Sequence, residues 1–460
     1  MSKSGDRSVT AGRHRRGFLM SGGLGVLGAA GAFRLVAPAA GRGSGGRGQA
    51  DACIIVLLTG GPSHLDMWDP KPGAPAEIRG PFGTIQTSLP GVRFTEHLPK
   101  LATQLRHCAL VRSVHHKVRG AHAAAVYTAL TGISREDVGK PASRTDHPAF
   151  GSVLARYRGV GTFPLPYAWL PFRTSEVELG GEPIPGMLGG FLGPRFDPFF
   201  ALDDPSDPDF EVPALRLGTE VDAVRTSDRF RLLDALDRRE STRVHAEWRE
   251  LRDRAREMMG SPALRRAFSV VDEPDSLKAD YGQNKFGASL LLARRLVEAG
   301  SRVVCVSAGS NLNNTWDTHF NNFETLRSNL LPKFDAGLSA LVADLADRGA
   351  LDRTLVMAFG EFGRTPRIGV GDAGGTGRSH WPDCYTVFLA GGGIKGGVVL
   401  GRSDKIGAFP ADEPVTPADV LATAYRCLGV APSPESDLVD PQGRPVGVAP
   451  EGKPIAGLIR

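Results

Sequence analysis

The chain reads Cys53-Ile-Ile-Val-Leu-Leu58, followed at once by Thr59-Gly-Gly-Pro62. An unbroken apolar run of this length predicts a strand that is buried on both faces, and the Gly-Gly-Pro predicts a tight turn at its end. Strands of this kind are typical of parallel sheets that are covered by helices on both sides. This stretch therefore predicts an α/β fold built around a mostly parallel central sheet with helices on both faces.

The same signal recurs along the chain. Further apolar runs predict strands at Cys108–Val111, Arg302–Ser307, Thr354–Phe359 and Tyr385–Ala390. One apolar helical face is formed by Phe334, Leu338, Leu341, Val342 and Leu345, with Gly349 as its predicted C-terminal stop. Because strands and helices alternate in this way, the pattern indicates an α/β architecture.

Residues 49–460 are predicted to form one large domain with a helical insertion at about residues 219–300. Within that insertion, the segment from Thr226 to Met259 is charge-rich and helical in pattern. Ser261-Pro262 predicts a helix N-cap, and Phe286 to Ala299 predicts an amphipathic helix that stops at Gly300. At 460 residues and 41% hydrophobic composition, the chain can bury a large core.

Residues 1–48 are expected to be an export signal followed by a glycine-rich linker. Arg15-Arg-Gly-Phe-Leu19, an apolar Gly/Ala run from Leu19 to Phe33, and Ala37-Pro-Ala39 as a cleavage site resemble a twin-arginine signal. The apolar run is too short and too rich in glycine to span a bilayer stably. On this interpretation the mature protein is periplasmic or extracellular and has no membrane span; the alternative is a disordered basic tail.

The net charge of +5 originates in this leader. Residues 1–49 contain eight Lys or Arg and one acid, so the remainder carries a net charge of −2. A body this close to neutrality gives no electrostatic case for binding nucleic acid. The five cysteines are an odd count with no Cys-x-x-Cys spacing, and we expect neither a disulfide framework nor a cysteine metal site.

Possible metal ligands follow the predicted strands. Asp317 and His319 come after the strand that ends at Ser307, and two residues at i and i+2 point the same way in an extended segment. Side chains delivered from the ends of separate strands are how an α/β sheet assembles a metal site at its carboxyl edge. The structural alternative is that Asp317 caps a following helix and that His319 is an ordinary loop histidine.

Glu361 directly follows the strand that ends at Phe359, where a carboxylate can bind metal or act as a general base. Its structural alternative is an ion pair with Arg364 or Arg378. The planar guanidinium of Arg364 also suits a sulfate or phosphate group. His380 is a candidate third ligand, and packing against Trp381 is its structural alternative.

His64 and Asp66 lie in the loop after the first strand and reach the same sheet edge, so both are candidate metal ligands. The segment His115 to Arg119 forms a cationic loop that could hold an anion, with His122 just beyond it. An exposed loop with ordinary histidines is the alternative for this segment.

Four further stretches carry a resemblance to a known family. They are His122-Ala-Ala-Ala-Val-Tyr-Thr-Ala-Leu-Thr-Gly132, Gly60-Gly-Pro-Ser-His-Leu-Asp-Met-Trp-Asp-Pro-Lys-Pro72, Asp352-Arg-Thr-Leu-Val-Met-Ala-Phe-Gly-Glu-Phe-Gly-Arg-Thr-Pro366 and Gly377-Arg-Ser-His-Trp381. Together with Trp316-Asp-Thr-His319, they resemble an exported bacterial family, domain of unknown function 1501, of the alkaline phosphatase and sulfatase superfamily.

The resemblance implies an alkaline-phosphatase-like fold and an exported, metal-dependent hydrolase of sulfate or phosphate esters, with small-molecule or polysaccharide anionic substrates. Asp317, His319 and His380 would bind the metal, with Glu361 as ligand or base. The donor set favours zinc, with manganese, iron or calcium as alternatives.

Departures from the superfamily pattern favour a second hypothesis. Gly61 stands where relatives carry a metal-binding Asp, and Glu361–Phe362 replace an Asp-His pair. When this chain is aligned with relatives on Leu130-Thr-Gly132, His122 occupies the position of their attacking hydroxyl or formylglycine group. His122 would then be a metal ligand, an anion donor or a nucleophile. The competing hypothesis is a non-catalytic member that binds an anionic glycan or a partner protein.

If the leader is a twin-arginine signal, the double substitution Arg15→Lys/Arg16→Lys should trap the precursor in the cytoplasm, because the export machinery reads the arginine pair. Cell fractionation followed by immunoblotting measures this. A variant that is exported as efficiently as the unaltered protein would contradict the interpretation.

Overall fold

The computed structural model describes residues 48–135, 139–159, 161, 163–176, 179–216, 223–237, 243–312, 315–431 and 438–460. The predicted export signal at residues 1–47 lies outside this part of the chain. The strands are β1 Ala52–Leu57, β2 Thr84–Gln86, β3 Arg93–Thr95, β4 Cys108–Val114, β5 Tyr167–Leu170, β6 Phe199–Phe200, β7 Val303–Ser307, β8 Thr354–Phe359, β9 Gly363–Arg364, β10 His380–Trp381, β11 Tyr385–Ala390, β12 Val398–Leu400, β13 Arg402–Ser403, β14 Pro410–Asp412, β15 Leu438–Val439 and β16 Pro445–Val446.

The structure contains twelve described α-helices, several of which cover the sheet formed by the longer strands. They are α1 Ala76–Arg79, α2 Pro99–Gln104, α3 His122–Thr131, α4 Phe150–Arg158, α5 Ala223–Asp237, α6 Arg243–Gly260, α7 Pro262–Phe268, α8 Asp275–Tyr281, α9 Lys285–Ala299, α10 Asn322–Thr325, α11 Leu331–Asp347 and α12 Pro417–Cys427. Among these described helices, none combines the length and the apolar character that crossing a membrane requires.

The central sheet has eight strands in the order β12-β4-β11-β8-β1-β7-β5-β6. β1 pairs in parallel with both β7 and β8, and β7 pairs in parallel with β5. β11 is antiparallel to its neighbours β4 and β8. The predicted α/β fold with a mostly parallel sheet is confirmed, with β11 as the reversed strand.

Both faces of β1 are buried, as the continuous apolar run predicts. Ile54 and Val56 join one hydrophobic cluster, which also contains residues of α9 and α11. Cys53, Ile55 and Leu57 join a second cluster, which contains residues of α3, α4 and α12. Because successive side chains of a strand point to opposite faces, the sheet is covered by a helical layer on each side.

In the described part of residues 219–300 the chain forms the helices α5 to α9, joined by short connections. Ser261 caps α7 by accepting a hydrogen bond from the backbone N–H of Leu264 at 3.1 Å. The last helix of this segment, α9, packs on the sheet through buried residues such as Leu290 and Leu296. α9 is therefore part of the helical layer that covers the central sheet. α5 to α8 precede it in the chain.

The sheet topology determines where the candidate site residues meet. β1, β4, β7 and β8 run in the same direction, so the loops that follow them emerge at one edge of the sheet. β11 runs the other way, so the residues that precede Tyr385 lie at this same edge. Four strand ends and one strand start thus deliver side chains to a common region.

Gly60, just after β1, lies where the loops that follow β1 and β7 approach each other closely. Its φ is +107°, and a Cβ atom there would lie 2.4 Å from the backbone nitrogen of Asp317 and 2.9 Å from the carbonyl oxygen of Leu312. Glycine is required by both the backbone conformation and the lack of space.

We predict that Gly60→Ala lowers the free energy of unfolding by about 3 kcal/mol, because it combines backbone strain with a backbone clash. Gly91→Ala is the matched control, since Gly91 has a φ of +80° with no atom within 4 Å of the added Cβ, and should cost about 1 kcal/mol. Urea denaturation measures both. Equal losses in the two variants would contradict the close approach at Gly60.

Candidate metal centre

Asp317 lies at the centre of a cluster of imidazoles. Its Oδ1 atom is 2.9 Å from His319 Nε2 and 3.1 Å from His380 Nε2. Its Oδ2 atom is 3.4 Å from His122 Nε2. The Asp317 side chain is 7% exposed. Three Nε2 atoms from three separate chain segments therefore face one carboxylate.

The imidazoles also lie close to one another. The Nε2 atoms of His319 and His380 are 2.9 Å apart. The ring of His122 lies 4.4 Å from that of His380, centroid to centroid. One ligand atom each from His122, Asp317 and His380 lie within 4.8 Å of one another. The donor atoms are thus close enough to share one cation.

Local structure explains these positions. His122 is the first residue of α3, directly after the extended N-cap Ala121. The backbone N–H of Trp316 donates to the carbonyl of Thr59 at 3.0 Å, which ties the Asp317 loop to the end of β1. His380 pairs with Arg364 across the small β9–β10 ladder.

Glu361 lies behind His122. Its Oε1 atom is 2.6 Å from His122 Nδ1, and both of its oxygens accept from the backbone N–H of Gly60, at 2.9 and 3.2 Å. The side chain is fully buried. Sequence reasoning treated Glu361 as a ligand or base, but its oxygens face His122 and Gly60, and the alternative ion pair with Arg364 or Arg378 does not form.

Arg364 is fully buried and holds Asp317 from the other side. It forms an ion pair with Asp317, and its Nε donates to the carbonyl of Gly61 at 2.8 Å. Further donors reach the carbonyls of Gly60, Trp316 and Arg378. The guanidinium thus faces protein acceptors, so the structure does not present it to a sulfate or phosphate group.

The charges in the cluster are mutually dependent. Burial alone lowers the pKa of His122, but its contacts with Asp317 and Glu361 outweigh this effect and raise the pKa to about 9. Burial alone raises the pKa of Asp317, but the three imidazoles and Arg364 hold it well below its usual range. Burial lowers the pKa of His380, which favours the neutral imidazole that a metal ligand must be.

The structure does not bring His64 and Asp66 into this cluster. Both oxygens of Asp66 bind the guanidinium of Arg378, at 2.7 and 3.0 Å, and Asp66 also accepts from Asn322 at 2.9 Å. His64 Nε2 is 2.8 Å from the carbonyl oxygen of Gly407. His64 and Asp66 are residue types that suit a metal site, but here both side chains contact buried groups from distant parts of the chain.

Sequence reasoning missed Asp372. Its Oδ1 atom lies 3.2 Å from His319 Nδ1, on the opposite side of the imidazole from Asp317. Asp372 belongs to the glycine-rich stretch Gly369–Gly377, and the glycines were the available signal that this loop approaches another backbone closely.

The cluster fits a divalent cation on structural grounds. His122 Nε2 is buried and has no hydrogen-bond partner, although it points towards Asp317. Imidazole Nε2 atoms and a carboxylate are the donors that zinc binds at about 2.0–2.2 Å, and a carboxylate that accepts from Nδ1 is the usual support for such a ligand. A cation that replaces the proton on Nε2 would therefore bind a buried atom whose contact with Asp317 is not a hydrogen bond.

Comparison with known proteins identifies a family. The family model described as "Protein of unknown function (DUF1501)" matches residues 50–459, as the sequence motifs predict. No curated protein matches the chain.

Several solved structures match the chain at low similarity. The lipoteichoic acid synthase LtaP from Listeria monocytogenes shares 12% identity over 89% of this chain and 76% of its own, with a TM-score of 0.37. The PsFucS1 sulfatase from Pseudoalteromonas sp. shares 14% identity over 83% and 68%, with a TM-score of 0.37. A protein in the alkaline phosphatase superfamily from Vibrio parahaemolyticus shares 12% identity over 84% and 67%, with a TM-score of 0.39. Similarity at this level assigns no activity and no site residue to this chain.

The buried pair between Asp66 and Arg378 supports a prediction on stability. Asp66→Asn should lower the free energy of unfolding by about 3–5 kcal/mol, because it leaves a fully buried guanidinium without its counter-charge. Metal bound per folded molecule should not change. Metal analysis and urea denaturation of the same preparation measure both quantities.

Asp412→Asn is the matched control, because Asp412 pairs with Arg402 at 3.0 Å on the exposed surface. It should cost less than about 1 kcal/mol. Loss of metal from Asp66→Asn at unchanged stability would instead make Asp66 a ligand.

Proposed function

The chain belongs to the DUF1501 family, and we propose that it is a metal-dependent hydrolase of sulfate or phosphate esters that acts after export. The observation that carries this proposal is the convergence of His122, His319 and His380 on the carboxylate of Asp317. The motif resemblance to the alkaline phosphatase and sulfatase superfamily supports the class of ester.

Asp317, His122, His380 and His319 would hold the metal. The donor set favours zinc, and manganese, iron or calcium would need additional oxygen or water ligands. A divalent cation in such a site lowers the pKa of a bound water and neutralises negative charge that develops on the ester.

Glu361 would set the position of His122. Its carboxylate accepts the Nδ1–H of His122, so Nε2, which lies 3.4 Å from Asp317, is the nitrogen that would bind the cation after losing its proton. Because Glu361 is itself fixed by the backbone N–H of Gly60, the imidazole is oriented from the end of β1. This arrangement supports a ligand role for His122 over a role as nucleophile, and a positioning role for Glu361.

Arg364 would keep Asp317 ionised and in place. Its guanidinium binds Asp317 on one side and backbone carbonyls of two loops on the other. A carboxylate fixed in this way need not reorganise when a cation or an ester approaches. Arg364 therefore acts on the site through Asp317.

The ester would approach from the side of His319 and His380. Their side chains are 14% and 13% exposed, whereas that of His122 is 3% exposed. In the proposed reaction water attacks sulfur or phosphorus, the bond to the ester oxygen breaks, and the alcohol leaves with a proton. Polysaccharide esters are included among the substrates because of the motif resemblance.

One observation favours the second candidate function, a non-catalytic protein that binds an anionic glycan or a partner protein. The ring of Phe362 lies 4.5 Å from that of His380 and 5.1 Å from that of His122, centroid to centroid. Phe362 thus places an apolar ring where the resemblance to the superfamily implies a second set of metal ligands. The two candidates differ in whether the bound metal supports turnover.

Asp317→Asn tests the proposal. Loss of a residue that supports a metal ligand typically weakens metal binding roughly 10–100-fold. Asp317→Asn should weaken zinc binding by more than this, because it removes the charged ligand on which the imidazoles converge. Hydrolysis of a panel of aryl sulfates, phosphate esters and sulfated polysaccharides should fall to background. Metal analysis, equilibrium dialysis and product detection measure these effects.

The exposed-pair variant Asp412→Asn is the control and should match the unaltered protein in both assays. If the unaltered protein binds no divalent metal after metal supplementation, the metal-dependent function is wrong. If it binds metal, retains sulfated polysaccharides and hydrolyses no ester, the non-catalytic alternative replaces the hydrolase.

A further inference from the structure

We propose that Asp372 is a positioning residue of the metal centre, which orients His319 from an exposed glycine-rich loop. The proposal rests on the metal centre proposed above and adds a residue to it. Asp372 does not contact Asp317 or the other imidazoles in the described contacts, so its action would be transmitted through the ring of His319.

The contact geometry supports this role. Asp372 Oδ1 lies 3.2 Å from His319 Nδ1, while His319 Nε2 lies 2.9 Å from both Asp317 Oδ1 and His380 Nε2. A carboxylate next to Nδ1 keeps the proton on that nitrogen, which leaves the Nε2 lone pair free for a metal. A related arrangement is found at His122, where Glu361 makes a hydrogen bond of 2.6 Å with Nδ1.

Asp372 is itself held in place. The Oγ atom of Ser379 donates to its Oδ1 atom, so one oxygen is shared between Ser379 and His319. The backbone of Ser379 exchanges hydrogen bonds with Thr365, at 2.8 and 3.0 Å. Because Ser379 immediately precedes His380, this chain of contacts ties Asp372 to the segment that supplies another candidate ligand.

The glycine-rich loop is fixed to the backbone around His319. The N–H of Gly374 donates to the carbonyl of His319 at 3.0 Å, and the N–H of Arg378 donates to the carbonyl of Thr318 at 3.1 Å. Gly377 is in direct contact with His319, since a Cβ atom there would lie 1.7 Å from its carbonyl oxygen. The loop thus delivers Asp372 to His319 from a defined position.

The high exposure of Asp372 distinguishes a positioning role from a contribution to folding stability. The side chain of Asp372 is 64% exposed, and ion pairs at such sites contribute little to stability. Orientation of an imidazole requires only that the carboxylate occupy the correct place relative to Nδ1. We therefore expect loss of Asp372 to affect the affinity for metal and to leave the stability of the metal-free protein unchanged.

The experiment compares Asp372→Ala, Asp372→Asn and Ser379→Ala with the unaltered protein. Zinc affinity is measured by competition with a chromophoric chelator, and the geometry of the site is followed by the visible absorption spectrum of the cobalt-substituted protein. Asp372→Ala should weaken zinc binding about 10–100-fold and change the cobalt spectrum. Asp372→Asn should lose less, because it loses the charge but keeps an oxygen beside Nδ1.

Asp412→Ala, which removes a carboxylate from the exposed pair with Arg402, is the matched control and should leave affinity and spectrum unchanged. The thermal midpoint of metal-free Asp372→Ala should equal that of the unaltered protein. Should the alanine variant fail to fold, Asp372→Asn and Ser379→Ala carry the same comparison.

The outcomes distinguish this inference from the proposed function. If Asp372→Ala binds zinc as tightly as the unaltered protein, or loses affinity only in proportion to lost folding, Asp372 is not a positioning residue. If the unaltered protein binds no metal, both proposals are wrong. If it binds metal without hydrolysing esters and Asp372→Ala weakens that binding, the hydrolase fails and the role of Asp372 stands.

Discussion

The carboxylate of Asp317 is the interaction on which the rest of the site depends. It is nearly buried, and a buried charge is tolerated only when opposite charges and hydrogen-bond donors surround it. Arg364 supplies the charge, and the imidazoles of His122, His319 and His380 supply the remaining contacts. Each of these groups comes from a different loop, so Asp317 also joins the loops at the sheet edge.

Two of the imidazoles are supported in contrasting ways. His122 is held from inside by Glu361, which has no exposed surface and is fixed by the backbone at the end of β1. His319 is held from outside by Asp372, whose side chain is mostly exposed. The site therefore has a fully buried inner side and an outer imidazole that is partly open to solvent. This asymmetry gives the proposed centre a defined direction of approach.

The convergence itself follows from one feature of topology. β1, β4, β7 and β8 share a direction, so their following loops meet at the carboxyl edge. β11 is reversed, and His380 therefore reaches the same edge from the start of a strand. A uniformly parallel sheet would place the residues that precede β11 at the opposite edge, away from Asp317.

The sequence by itself determined the long strands of the sheet, several helices and most of the residues that meet at the candidate site. Apolar runs such as Cys53–Leu58 specify strands buried on both faces, and Ser261-Pro262 specifies a helix start, because these signals are local. The motifs also named His122, Asp317, His319, Glu361 and His380 as candidate site residues, together with Arg364 and with His64 and Asp66, which lie outside the cluster.

Only the tertiary structure decided what each of these residues contacts. Glu361 binds the N–H of Gly60 across 301 positions of sequence, and Asp66 binds Arg378 across 312. Asp372 reaches His319 through a loop whose sequence carries only glycine signals. Spacing along the chain cannot specify such partners, because they are set by the order of strands in the sheet and by which buried charges find compensation there.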